Sequence, residues 1–149
     1  MWIKYEQAED IKEKAEDIVK TLQWNYIRLE DVGFLRSHGS SSRGTIARCH
    51  ALGKAMQLAM KRKGFYLIEV ISKRFDKLSE EDKLKVIIHE LMHIPSTFGW
   101  GFKHHHLVTD KNVDKFYEEY MKRKGITIKK EEGWRWFWKN LNFFIKRER

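Results

Sequence analysis

Residues 89–95 of this 149-residue chain read His-Glu-Leu-Met-His-Ile-Pro, and no other stretch limits the fold so tightly. Leu84, Ile87, Ile88, Leu91 and Met92 recur at helical spacing ahead of and within it, and Ser79 with Asp82 three positions on has the form of a capping box. A helix is therefore predicted from residue 80. Pro95, the one proline in the chain, lacks the amide that a further turn would need, so the helix must stop just beyond His93 and is assigned to residues 80–94. Its flanks Val86, Ile87, Ile88, Leu91, Met92 and Ile94 are uncharged, which suits a helix buried against another layer.

The spacing inside that helix carries chemistry. His89 and His93 are four apart, so their Cβ atoms lie about 5–6 Å apart on one helix face, and both rings reach one ion at the usual Zn–N distance of about 2.0–2.1 Å. Glu90 follows the first histidine directly, completing the H-E-x-x-H arrangement in which two imidazoles hold zinc and the carboxylate takes a proton from the water beside it. Neutral imidazoles leave the ion strongly Lewis-acidic, which thiolates would not. The pattern would arise in roughly 3% of shuffled chains of this composition. The competing reading is a helix whose histidines serve only structure.

A catalytic site also needs a third protein ligand and an open position. His104, His105 and His106 follow His93 by eleven to thirteen residues, across a segment with Gly99 and Gly101 that can fold back. His105 is the first choice. Glu118 or Glu119 on a later helix is the alternative. No residue stands out as an oxyanion stabiliser; His50, Tyr117 and Tyr120 are candidates only, and packing is the better explanation of each.

The remainder reads as an alternation of helices and strands. Residues 5–22 place Tyr5, Ala8, Ile11, Ala15, Ile18, Val19 and Leu22 three or four apart, an amphipathic helix. Residues 33–37 form a short strand, and 38–44 (HGSSSRG) a turn-forming loop with Arg43 and hydroxyls that could also touch an anion. Residues 45–52 alternate as a half-buried strand, a short helix follows Gly53, and residues 65–72 (FYLIEVIS) are the best strand in the chain. Thr109 caps a helix through Val113, Phe116, Tyr117, Tyr120 and Met121, ended by Gly125. The expected architecture is a single α+β domain spanning 1–149, a small mixed or antiparallel sheet packed on the histidine helix with other helices flanking it.

Charge and composition narrow the setting. One cysteine, Cys49, excludes an internal disulfide, and with no long apolar run the expected location is the cytoplasm. Lysine and arginine number 30 against 21 acidic residues, a formal charge of +9 that would draw anionic partners, nucleic acid among them. Residues 133–149 (GWRWFWKNLNFFIKRER) set Trp134, Phe137, Trp138, Leu141, Phe144 and Ile145 on one helical stripe with basic residues elsewhere. That stripe could pack on the domain, stack single-stranded bases, or touch a membrane or a partner.

HELMHIP, with a Gly-containing loop and a histidine run behind it and with FYLIEVIS and SSRGTIARCHAL ahead of it, resembles the zincin metallopeptidases, most closely small metallopeptidase-like proteins of archaea and phages. The resemblance covers residues 34–120. It implies a zincin-like core, zinc held by His89, His93 and His105, Glu90 as catalyst, and a protein or peptide substrate. The chain departs from the metzincin extension, with Ser96 where a glycine would stand and Gly99 where the final histidine would. The function expected is zinc-dependent peptide hydrolysis, with the 65–72 strand, were it at a sheet edge, pairing with an extended substrate. The alternative is a basic nucleic-acid-binding protein with a structural zinc, or a protease recruited to nucleic acid.

Overall fold

Residues 2–99, 101–103 and 107–126 are described in the computed structural model. Within them, ten elements follow in the order β1 (Lys4–Gln7), α1 (Glu9–Thr21), a 3-10 turn (Leu29–Asp31), β2 (Val32–His38), β3 (Ala47–Ala51), α2 (Lys54–Met60), β4 (Tyr66–Ile71), α3 (Ser72–Phe75), α4 (Glu80–Met92) and α5 (Asp110–Arg123). The aromatic and basic segment 133–149 lies outside the described residues.

The four strands form one mixed sheet in the order β1-β2-β4-β3. β2 and β4 run parallel at its centre, and β1 and β3 flank them antiparallel. Period-two alternation sends Val32 and Phe34 of β2, Ala47 of β3, and Tyr66, Ile68 and Val70 of β4 to one face, all of them buried. Helices cover that face. α1 contributes Ile11, Ala15, Ile18 and Val19, and α4 contributes a continuous buried run from Lys85 to Met92. α4 sits at the centre of the packing, touching α1, β3 and α5. Its entry is fixed as the sequence predicts, with Ser79 Oγ accepting from the Asp82 amide at 3.2 Å. The equivalent bond at α5 runs from the Asn112 amide to Thr109 Oγ1.

Arg36 on β2 ties the two layers. Its guanidinium donates to Asp10 at the start of α1 at 2.8 and 2.9 Å and to Asp76 just after α3 at 2.7 Å. Paired to two carboxylates, it keeps its proton far more firmly than usual, and hydrogen bonds from Arg36 hold Asp10 below the ordinary carboxylate range. Arg74 of α3 performs a similar service for the 38–44 connection, donating to the carbonyls of Ser42 and Thr45.

Three expectations are corrected. Tyr5 belongs to β1 and not to the first helix; it opposes Ser37 in the pairing with β2 and is 57% exposed. All four β1 residues are exposed, so this edge strand carries no alternation by which sequence could reveal it. α4 ends at Met92 with His93 as its C-cap, two residues short of the expected 94. The strand expected at 65–72 is interior, with β2 on one side and β3 on the other, so it has no edge to offer a substrate; the edge strand beside it is β3.

Candidate metal centre

The last turn of α4 carries His89 and Glu90, and His93 caps it. Both histidines are fully buried and Glu90 is 1% exposed, so three polar side chains share one apolar interior. The rings stand edge to face with centroids 4.9 Å apart, and the two Nε2 atoms approach to 3.1 Å. Two nitrogens bound tetrahedrally to one zinc at about 2.0–2.1 Å would be separated by about 3.3 Å. The pair is thus spaced much as one ion would need it.

Proton positions follow from what lies behind His93. Its Nδ1 is 2.9 Å from the carbonyl of Lys103, which can only accept, so Nδ1 carries the hydrogen and Nε2 of the neutral ring presents a lone pair. The Nε2 atom of His89 faces it across the 3.1 Å contact, where a cation would take the place of any shared proton. An imidazole held through its remote N–H by a backbone carbonyl is the usual support for a metal-ligating histidine. The donor set present fits zinc.

The segment after α4 forms a closed loop whose ends meet where the Lys103 amide donates to the His93 carbonyl at 2.8 Å. Phe98 lies within it at φ +50°, a left-handed conformation unusual for a bulky residue, and its ring is buried between Tyr66 at 5.0 Å and the Arg28 guanidinium at 4.4 Å. Gly64 makes room for the loop. A Cβ built there would lie 2.4 Å from the Phe98 carbonyl oxygen and 2.5 Å from that of Gly99.

His104, His105 and His106 lie outside the described residues. Among the described residues, no group of three or more His, Cys, Asp or Glu side chains gathers around a common point. Glu118 is exposed on α5, and Glu119 accepts from Arg123 at 2.8 Å one turn further on. The oxyanion candidates have other engagements. His50 meets the buried Glu69 at 2.9 Å, Tyr117 lies 4.7 Å beneath the ammonium of Lys85, and the Tyr120 hydroxyl donates to Asp17.

Three features escaped the sequence reading. The first is the Lys103 carbonyl, a main-chain group that no side-chain pattern reveals. A second is the pair Gln57 and Tyr66, which bond the loop from elements 42 and 35 residues away. The third is a cavity of about 410 Å³ beside the C-terminal end of α4, walled by Trp24, Tyr26, Met92, Leu107 and Phe116, with Lys103 and Asn112 completing it.

A model of the family described as "Putative phage metallopeptidase" matches residues 3–140. No curated protein and no solved structure matches the chain.

Proposed function

The chain belongs to that metallopeptidase family, and on this premise we propose that it hydrolyses peptide bonds at a zinc ion held by His89 and His93 together with a histidine of the 104–106 run, His105 first among them. The single observation that supports this most is the 3.1 Å approach of two buried Nε2 atoms, one of them already cleared of its proton by the Lys103 carbonyl. Bound zinc would supply Lewis acidity, polarising a scissile carbonyl and making a water acidic near neutral pH.

Glu90 is the proposed general base. It sits beside His89 and three residues before His93 on the same helix, within an interior that excludes bulk water. There its carboxylate would take the proton of the attacking water and return it to the departing amine, so that no charge is stranded on either fragment. The substrate backbone has a natural neighbour in β3. This edge strand packs on α4, and its outer edge can receive an extended peptide as one more strand. An apolar side chain of the same peptide would suit the cavity beside Met92.

The experiment is Glu90→Gln, isosteric and uncharged. Zinc should remain bound at unchanged stoichiometry while cleavage of an unfolded protein substrate disappears; cleavage at the wild-type rate by the zinc-loaded variant would exclude Glu90 as base. Family membership supports the peptidase over the basic nucleic-acid-binding protein, and the charge of +9 alone carries no second reading.

A further inference from the structure

The segment that closes on His93 is gripped at every second carbonyl. Gly99 accepts from Gln57 Nε2 of α2 at 2.8 Å, Gly101 from the Tyr66 hydroxyl of β4 at 3.1 Å, and Lys103 from His93 Nδ1 at 2.9 Å. The Gly99, Gly101 and Lys103 carbonyls are thus each held by a donor from a different part of the domain, α2, β4 and the C-cap of α4. Tyr66 does the most. It is fully buried, its ring packs edge-on against Phe98 at 5.0 Å and Phe102 at 6.4 Å, and its hydroxyl reaches between them to Gly101.

A neutral imidazole chooses between two tautomers that differ little in energy, and the choice is made by whatever faces the ring. For His93 that is the Lys103 carbonyl, whose position depends on the two residues before it. We propose that Tyr66 is a positioning residue for the His89 and His93 pair: its hydroxyl, seconded by the Gln57 amide, holds the Lys103 carbonyl where it keeps the proton on Nδ1 and leaves Nε2 as a ligand. Burial pushes the Tyr66 hydroxyl up to about 12, so it remains a donor across the neutral range. The consequence for zinc affinity rests on the metal reading above; the consequence for the tautomer does not.

The test uses the full chain, labelled with nitrogen-15 and freed of metal by a chelator at pH 8. Long-range proton–nitrogen correlation of the imidazoles reports the His93 tautomer, and titration with zinc against a competing chelator gives the affinity. Wild type should show Nδ1–H alone. Tyr66→Phe should show a mixture of tautomers and bind zinc about tenfold more weakly, within the range that outer partners of metal ligands command. Gln57→Leu should move both readouts the same way by less. Ile68→Val, a fully buried neighbour two residues along the same strand, should move neither. Retention of the wild-type tautomer and affinity by Tyr66→Phe and Gln57→Leu would overturn the proposal, as would an equal effect from Ile68→Val. A wild type that binds no zinc would overturn the metal reading, and the tautomer comparison would still decide the role of Tyr66. Should Tyr66→Phe fail to fold, Gln57→Leu alone decides.

Discussion

Two turns of the same helix bury polar groups to opposite ends. Lys85 and His93 stand eight residues apart on α4 and both are fully buried. Around Lys85 the charges answer one another. Its ammonium meets Glu81 at 3.0 Å and Asp114 of α5 at 4.0 Å, and lies over the Tyr117 ring. Around His93 a carbonyl lies behind the ring and a second imidazole before it, with the Glu90 carboxylate buried in the same interior. Burial of an ammonium brings a desolvation cost that nearby carboxylates offset only in part. Burial of an uncharged imidazole costs far less, and two of them on adjacent turns are the pair proposed to share a metal. The first turn joins helices, and the second is proposed to bind.

The sharpest way to break this comparison is to remove one group from each turn. His93→Ala takes away a ligand and should lower zinc affinity by more than about a hundredfold. Lys85→Met should leave zinc affinity unchanged. Its effect on stability should also be small or favourable, because Glu81 and Asp114, each 38% exposed, can turn to water once the ammonium is gone. Isothermal titration with zinc and urea unfolding of both variants check the pair. Loss of zinc binding by Lys85→Met would show that the two turns are one site.

Next in size is Gly64→Ala. The added methyl would lie 2.4–2.5 Å from two carbonyl oxygens of the loop, so the backbone must move. A loss of about 3 kcal/mol is expected, with weaker zinc binding because the displaced loop carries the Lys103 carbonyl with it. Unchanged zinc affinity in the folded variant would show that the loop can shift without disturbing His93.

Proton linkage separates the turns at high pH. Burial depresses Lys85 from 10.5 to about 8, so between those values the unfolded chain binds more protons than the folded one, and stability rises with pH. The rise is at most about 3 kcal/mol and should vanish in Lys85→Met. The groups facing the ammonium behave differently. Burial raises Asp114 to about 6, so its contribution is full below about 4 and fades as pH climbs through 6, while the Tyr117 hydroxyl, raised to about 12, stays neutral throughout. Asp10 and Asp76 at the Arg36 clamp oppose this in acid. Both are held below 3.8, Asp10 chiefly by its hydrogen bonds from Arg36; for Asp76 burial pulls upward most strongly, and the hydrogen bonds from Arg36 and Ser72 with the charges of Arg36 and Lys83 together outweigh it; their stabilisation is present above that value and lost beneath it. Urea midpoints for wild type and Lys85→Met at pH 7, 9 and 10.5 decide whether the ammonium is responsible.

Local signals were legible in the sequence and nonlocal ones were not. The caps Ser79 and Thr109 and the buried run of α4 depend on residues within a few positions of one another, and each appears where spacing put it, while the stop before Pro95 comes two residues early. β1 was missed because a four-residue strand exposed on both faces has no period to detect, and Tyr5 happened to fall in step with the helix that follows. α3 was missed because it begins at Ser72, directly off the end of β4, with no loop between them to announce it. The interior place of β4 depends on chain crossing, since β2 pairs with it across an intervening strand and helix. In the candidate site the proposed ligands were visible as a motif, whereas the bonds around them were not, since Gln57 and Tyr66 act across the fold on main-chain carbonyls that every residue possesses.

The smallest expected effect settles a ligand question. Glu119 was the alternative third ligand, yet on α5 it accepts from Arg123 one turn on, a pair whose members are about 40% exposed. Exposed pairs at this spacing contribute about 0.3–0.5 kcal/mol, so Glu119→Ala should lower stability by no more than that. Zinc affinity should not change, because a carboxylate committed to a surface arginine would have to leave it and lose its hydration to reach the buried imidazoles. A ligand carboxylate would behave otherwise, its loss weakening zinc by orders of magnitude with little change in the metal-free protein. Zinc titration and urea unfolding of Glu119→Ala beside His105→Ala separate the cases. A large affinity loss in the first with none in the second would move the third ligand onto α5, and would make the facing helix, and not the loop, the part of the molecule that completes the site.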